Sequence, residues 1–204
     1  MSVDINHQPS TINRGGPAGR RDKRSAILRA AVRLFARGEF HGTNVPRLAR
    51  EAGVADGTIY NYFQNKEDLA RQALLAASAQ IERDLLAGVP QQAPPLERLE
   101  LAALVLLQIA EDDLERARFV MCVDHAAYLG EPAPSGLVAP LALLIAGAAA
   151  RGEAKPLAPE LLARLWLGVV GAAVDARASG RLERPLPEVA EAVARAALDA
   201  VRRV

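Results

Sequence analysis

The chain has 204 residues, half of them hydrophobic, one cysteine and a formal net charge of +1, which is enough apolar material to bury a sizeable core without staples. The lone Cys122 excludes an internal disulfide and fits a reducing compartment, and the polar opening of the chain has no apolar run of the kind a secretory signal carries. The most apolar stretch, Leu161 to Val174, is interrupted by Arg164, so no membrane span is expected and the cytoplasm is the expected location.

Charge is unevenly spread. Residues 1–70 carry 11 Lys and Arg against 7 Asp and Glu, whereas the remainder carries 14 against 17. A basic front end before a neutral to acidic body points to contact with a polyanion near the amino terminus. Residues 1–21, rich in Gly, Pro, Ser, Asn and Arg, have no apolar periodicity and read as a flexible basic arm. Its end, "RRDKR" at 20–24, fits a solvated helix start and a phosphate contact equally well.

From Asp22 the pattern turns helical. Ile27, Leu28, Ala31, Leu34 and Phe35 recur at spacings of three and four, and Gly38 stops the run. Thr43 or Asn44 can cap a second helix reaching Ala52, where Pro46 is tolerated because first-turn amides have no intrahelical partner. Gly53 breaks the backbone, and a third, short helix is predicted over Asp56–Tyr62 with Ile59 and Phe63 turned inward. Asn65 caps a fourth, with Glu67 and Asp68 favourably placed in its first turn.

Two short helices joined by a glycine-containing turn form a helix-turn-helix. The second helix of such a unit lies in the DNA major groove, where it needs donors, acceptors and flat apolar faces on its outer surface. Thr58, Tyr60, Asn61 and Tyr62 supply that chemistry, and Lys66 adds a cation where a helix start already favours an anion.

Over Arg24 to Leu69 the sequence resembles the TetR family of bacterial transcriptional regulators. The resemblance rests on the helix "ILRAAVRLFARG", the turn "LAREAGV" and the segment "GTIYNYFQNKEDL". It implies an all-α fold of about nine helices: a helix-turn-helix domain over 22–66, then an effector-binding and dimerisation domain over 67–204. By position it implies DNA contacts from Thr43, Asn44, Arg47, Thr58, Tyr60, Asn61, Tyr62 and Lys66. Pro46 stands where relatives often carry a base-reading polar residue, so the second helix is expected to give mainly phosphate contacts. Asp56, which phosphates would repel, is expected to cap the third helix, with acceptance from a cytosine amine as the alternative.

Beyond the long helix from Lys66, helices are predicted over 96–109, 113–128, 137–151, 159–179 and 187–203, separated by Gly- and Pro-containing breaks. Gly168, Gly171, Ala172 and Asp175 on one of the last two, and Val189, Val193, Ala197 and Val201 on the other, leave small and branched residues that fill a core or meet a partner. The resemblance implies a homodimer through these two helices, matching a pseudo-palindromic double-stranded operator. Polar groups on apolar stripes suggest a pocket for a small, largely apolar effector lined by Phe119, Met121, Asp124, His125, Tyr128 and Trp166; ordinary core packing explains each of them as well.

Cys122, Asp124 and His125 lack the further ligands of a metal set, and no cofactor is expected. The chain also lacks a phosphate loop and a nucleophile elbow, so an enzyme is not expected. A ligand-responsive DNA-binding repressor is the leading expectation. A helical protein-interaction module using the same tyrosines is the alternative.

Overall fold

A computed structural model of the protein describes residues 17–129 and 136–203, so residues 1–16 of the expected arm lie outside the described part. Among the described residues there are nine α-helices, one 3-10 helix and no sheet. The first helix, α1 (Pro17–Ala36), takes Pro17 at its start and thereby includes residues 17–21, which the sequence assigns to the arm. After it come α2 (Val45–Ala52), the 3-10 helix Asp56–Asn61 (the reading helix) and α3 (Lys66–Gly88). The body continues as α4 (Pro95–Asp112), α5 (Leu114–Cys122), α6 (Ala126–Leu129), α7 (Val138–Ala150), α8 (Pro159–Ala178) and α9 (Leu186–Val201).

Local chemistry sets the amino-terminal boundaries. Asn44 accepts the Arg47 amide (2.9 Å) to start α2, and Asn65 accepts the Asp68 amide (2.7 Å) to start α3. Gly53 ends α2 at φ +66°, a left-handed conformation that costs a glycine least. Asp56, expected to cap the reading helix, does not: Ala55 holds the cap position, with no side-chain hydrogen bond, and Asp56 is the first residue inside.

The long helix predicted over 113–128 is broken. Val123 is extended (ψ 132°), and the Asp124 carboxylate accepts the Ala126 amide to restart the chain as the single turn α6. This break leaves His125 lining the same cavity as Met121 but carries Tyr128 into a separate recess.

The core runs through both parts of the molecule. α1 packs on α2, α3 and α5; α8 lies against α5, α7 and α9; and α4 packs on α9 and α7. Glu111 of α4 accepts Arg177 of α8 (2.9 Å) and the Leu186 amide of α9 (2.9 Å), which holds its carboxyl below the usual range and pins three helix ends together.

Phe35 is fully buried where the two parts meet, edge-on to Phe40 (5.1 Å) and tilted against Phe119 of α5 (6.4 Å). Phe35→Ala is therefore expected to lower stability by about 3–5 kcal/mol, read from urea unfolding, because neither neighbouring element can close the cavity alone.

Candidate functional site

The reading helix owes its position to two buried anchors, Ile59 and Phe63. In a 3-10 helix, residues three apart eclipse one another. Tyr62 therefore falls on the edge of the buried Ile59 and is half-buried, while Thr58, half-buried as well, shares another edge with the exposed Asn61. Asn61 is exposed, and Tyr60, at 62% exposure, is the most exposed aromatic of the described residues. A large aromatic left in water beside an exposed amide suits a partner presenting flat apolar faces and hydrogen-bonding edges.

Cations frame this face. Arg20 lies over the Tyr62 ring (5.8 Å) and Arg24 over the Phe63 ring (5.6 Å), and both are exposed, as are Arg21 and Lys23. On the other flank Arg47 and Arg50 of α2 are exposed, and Arg47 pairs with Glu39. Asn44 is exposed as well, although its Oδ1 is committed to the cap.

Two of the expected contact residues point inward in this structure. The Thr43 side chain is only 2% exposed and its Oγ1 is buried without a partner, because the Phe40–Thr43 turn folds it inward. Lys66 donates its ammonium to the Phe40 carbonyl (2.8 Å) and the Thr43 carbonyl (3.2 Å), and stands 4.3 Å above the Phe40 ring. Its charge is used to hold the loop before α2 rather than offered outward.

The expected pocket residues divide. Met121, Asp124 and His125 line a cavity of about 330 Å³ between α5, α6, α7 and α8, together with Leu137, Val138 and Arg164. Arg164 is the residue that interrupts the apolar run of α8, a visible signal whose meaning depends on the fold. Phe119 and Trp166 are fully buried and do not line it; they are core. Tyr128 faces the amino-terminal unit instead, stacked on Phe40 at 4.0 Å and 16°. Two larger recesses lie elsewhere. One of about 400 Å³ sits between α1, α3 and α5, where Arg33 and Arg116 already meet Glu51 (2.6 Å) and Asp113 (3.4 Å). The other, about 470 Å³, is an apolar groove between α4, α7 and the end of α3.

His125 is 8% exposed and uses both ring nitrogens. Nε2 lies 2.7 Å from the Phe119 carbonyl, which only accepts, so Nε2 carries the proton and Nδ1 accepts the Tyr128 hydroxyl. Burial lowers the His125 pKa from its ordinary 6.5 and raises that of the Tyr128 phenol. Burial also pushes the Cys122 thiol up to about 11, an unreactive state, and its Sγ donates to the Gly171 carbonyl (3.3 Å).

On the outer side of α8, Leu161 and Leu165 are 46% and 45% exposed, and Gly168 and Ala172 continue the same stripe. α9 exposes Ala192 and Ala196. Gly171, Ala197 and Val201, for which core filling and a partner contact were both open, are buried. A Cβ at Gly171 would stand 3.6 Å from the Met121 carbonyl oxygen, an ordinary contact, so α5 leaves room there for an alanine.

A two-helix reading unit on a helical body with its own cavity is the architecture of a helix-turn-helix regulator. Comparison with known proteins agrees. Residues 27–73 match the family model for bacterial regulatory proteins of the tetR family. The fatty acid metabolism regulator protein of Bacillus subtilis is 37% identical over 82 residues, which is 40% of this chain and 42% of that protein, so the chain spans less than half of this curated relative's length. A TetR-family transcriptional regulator structure from Vibrio parahaemolyticus is 30% identical, with TM-score 0.68 over 89% of this chain and all of that one. The fold is also shared with the regulator FadR of Bacillus subtilis in complex with stearoyl-CoA (24% identity, TM-score 0.70, 86% of this chain and 98% of that one). The chain belongs to the TetR family of regulators. No described helix is long and apolar enough to cross a membrane.

The His125 geometry gives a signed pH prediction. Its folded pKa is depressed, so the neutral ring contributes stability above pH 6.5 that is lost as pH falls through the folded value. The urea midpoint is expected to drop from pH 7.5 to pH 5.5 in the wild type, and to drop less in His125→Gln.

Proposed function

We propose that this chain is a transcriptional repressor that binds a pseudo-palindromic DNA operator as a homodimer and is released by a small, largely apolar effector. The observation that carries the proposal is the exposed Tyr60–Asn61 edge, fixed by Ile59 and Phe63 and flanked by arginines on α1 and α2. Tyr60, Asn61 and Thr58 meet the major groove, Asn61 being suited to an adenine edge; Tyr62, Asn44 and Arg47 contact backbone phosphates alongside Arg20 and Arg24.

The apolar stripe of α8 and the alanines of α9 supply a face for a second copy. Two-fold pairing there sets the reading helices about 34 Å apart, one DNA turn.

The effector enters the cavity beside His125. Only a ligand that discriminates between two arrangements of the protein can shift their balance. This cavity touches the segment that contacts the DNA-binding unit, whereas the apolar groove beside α4 touches none of it. Its volume lies at the small end of ligand sites, and Arg164 offers a cation to an anionic head group. The stearoyl-CoA held by the Bacillus FadR makes acyl thioesters the first class to try.

Three measurements test this reading. Mobility shift on the DNA upstream of the chain's own gene is expected to show salt-sensitive, sequence-selective binding; uniform affinity for all DNA would refute it. Asn61→Ala is expected to weaken operator binding by about tenfold, within the ~1–3 kcal/mol of a good base contact, and to relax selectivity at one base pair. Titration with octanoyl-CoA and stearoyl-CoA, with free CoA as control, is expected to change the fluorescence of the single tryptophan, Trp166, and to release the operator.

A further inference from the structure

The segment Val123–Tyr128 is a thin wall with an opening on each side. Val123, Asp124 and His125 line the cavity between α5 and α8. On the other side Val123, Asp124, Ala127 and Tyr128 line a separate recess of about 300 Å³ that is shared with Phe35 and Phe40 of the DNA-binding unit. The wall is a single helical turn, closed by the Leu129 amide on the His125 carbonyl (2.9 Å) and preceded by the extended Val123. One turn has little cooperative stability of its own, so its position depends on the side chains that tie it down.

Besides the buried Leu129 and the packing of α6 on α3, the polar and aromatic ties form one chain of contacts. Phe119 holds His125 through its carbonyl (2.7 Å), and His125 receives the Tyr128 hydroxyl. The Tyr128 ring stacks on Phe40 at 4.0 Å. The Phe40 carbonyl accepts both Lys66 (2.8 Å) and the Thr43 amide (3.3 Å), and Asn44, the next residue, caps α2.

We infer that Tyr128 is the positioning residue through which occupancy of the cavity reaches the DNA-binding unit: a group pressing on His125 withdraws the Tyr128 ring from Phe40 and frees the loop that sets the start of α2. The inference rests on the proposed function and specifies how its effector acts. The bistable element is α6, docked on Phe40 or displaced from it. Neither position makes or breaks a covalent bond, and the cavity, the wall and the loop are contiguous.

The test needs neither DNA nor an identified effector. Val138 lines the cavity opposite the wall and is half-buried, so Val138→Phe places a ring where a ligand would sit. Hydrogen exchange of the loop amides at 38–44 is then measured in wild type, Val138→Phe, Tyr128→Phe, Tyr128→Leu and the Val138→Phe/Tyr128→Phe double variant, with urea midpoints read alongside.

Val138→Phe is expected to speed loop exchange about fivefold or more, the lower end of ordinary allosteric couplings. Tyr128→Leu, which removes the stack, is expected to do the same alone. Tyr128→Phe keeps the stack and loses only the hydroxyl, so its own loop exchange stays at the wild-type rate while its response to Val138→Phe disappears. A merely structural role for Tyr128 would leave that response intact.

Equal effects of Val138→Phe with and without the hydroxyl, no effect of Val138→Phe in wild type, or wild-type loop exchange in Tyr128→Leu would each overturn the inference. Tyr128→Phe differs by one oxygen and carries the test if the leucine variant does not fold. Absence of operator binding would undo the proposed function and leave these exchange rates standing, so the two failures are distinguishable.

Discussion

Phe40 is held from three sides, and the relation between the two halves of the molecule depends on that grip. Phe35 meets its edge, Tyr128 covers one face, and the Lys66 ammonium stands over the ring while bonding the residue's own carbonyl. Aromatic pairs of this kind contribute ~0.5–1.5 kcal/mol beyond burial, and a partly desolvated cation over a ring adds a similar amount. The total is comparable to the ~1–3 kcal/mol that separates regulatory states in ordinary proteins. Such a grip is strong enough to orient α2 and weak enough for a small molecule to contest.

Basic residues in the amino-terminal unit do two different jobs. Arg20 and Arg24 keep their head groups exposed near the reading helix, where a phosphate would find them, and Arg47, also exposed, shares its head group with Glu39. Lys66 and Arg37 are committed to groups of the protein itself: Lys66 closes the loop before α2, and Arg37, though exposed, ties the end of α1 to Glu115 of α5 (2.7 Å). A charge count cannot separate these roles. The net positive front end is real, but part of it is neutralised by carbonyls and carboxylates of the protein itself.

How much of this was legible in the sequence follows from what each signal depends on. The cap at Asn65, the turn at Gly53 and the inward anchors Ile59 and Phe63 are local features that the structure has as expected, and of the two candidate caps for α2 it takes Asn44. The break at Val123 was not legible. Residues 113–128 have a continuous helical pattern, and only the Asp124 turn and the docking of Tyr128 onto a residue 88 positions earlier in the chain interrupt it. That break explains why Tyr128 leaves the expected pocket for a domain contact; Phe119 and Trp166 went to the core because periodicity does not separate core from pocket lining. Thr43 and Lys66 moved inward for a related reason: a family position tells where a residue sits, but its side chain answers to the nearest unsatisfied carbonyl or apolar wall.

The tight winding of the reading helix carries a last consequence. Six residues rising ~2.0 Å each span ~12 Å, which on a duplex stepping ~3.4 Å per base pair is a word of three or four letters. Words that short recur throughout any genome, so a single copy of the chain would find countless equivalent addresses. In the proposed dimer, selectivity belongs to a conjunction, two brief words at a fixed separation, and whatever disturbs the separation erases the meaning without altering either word.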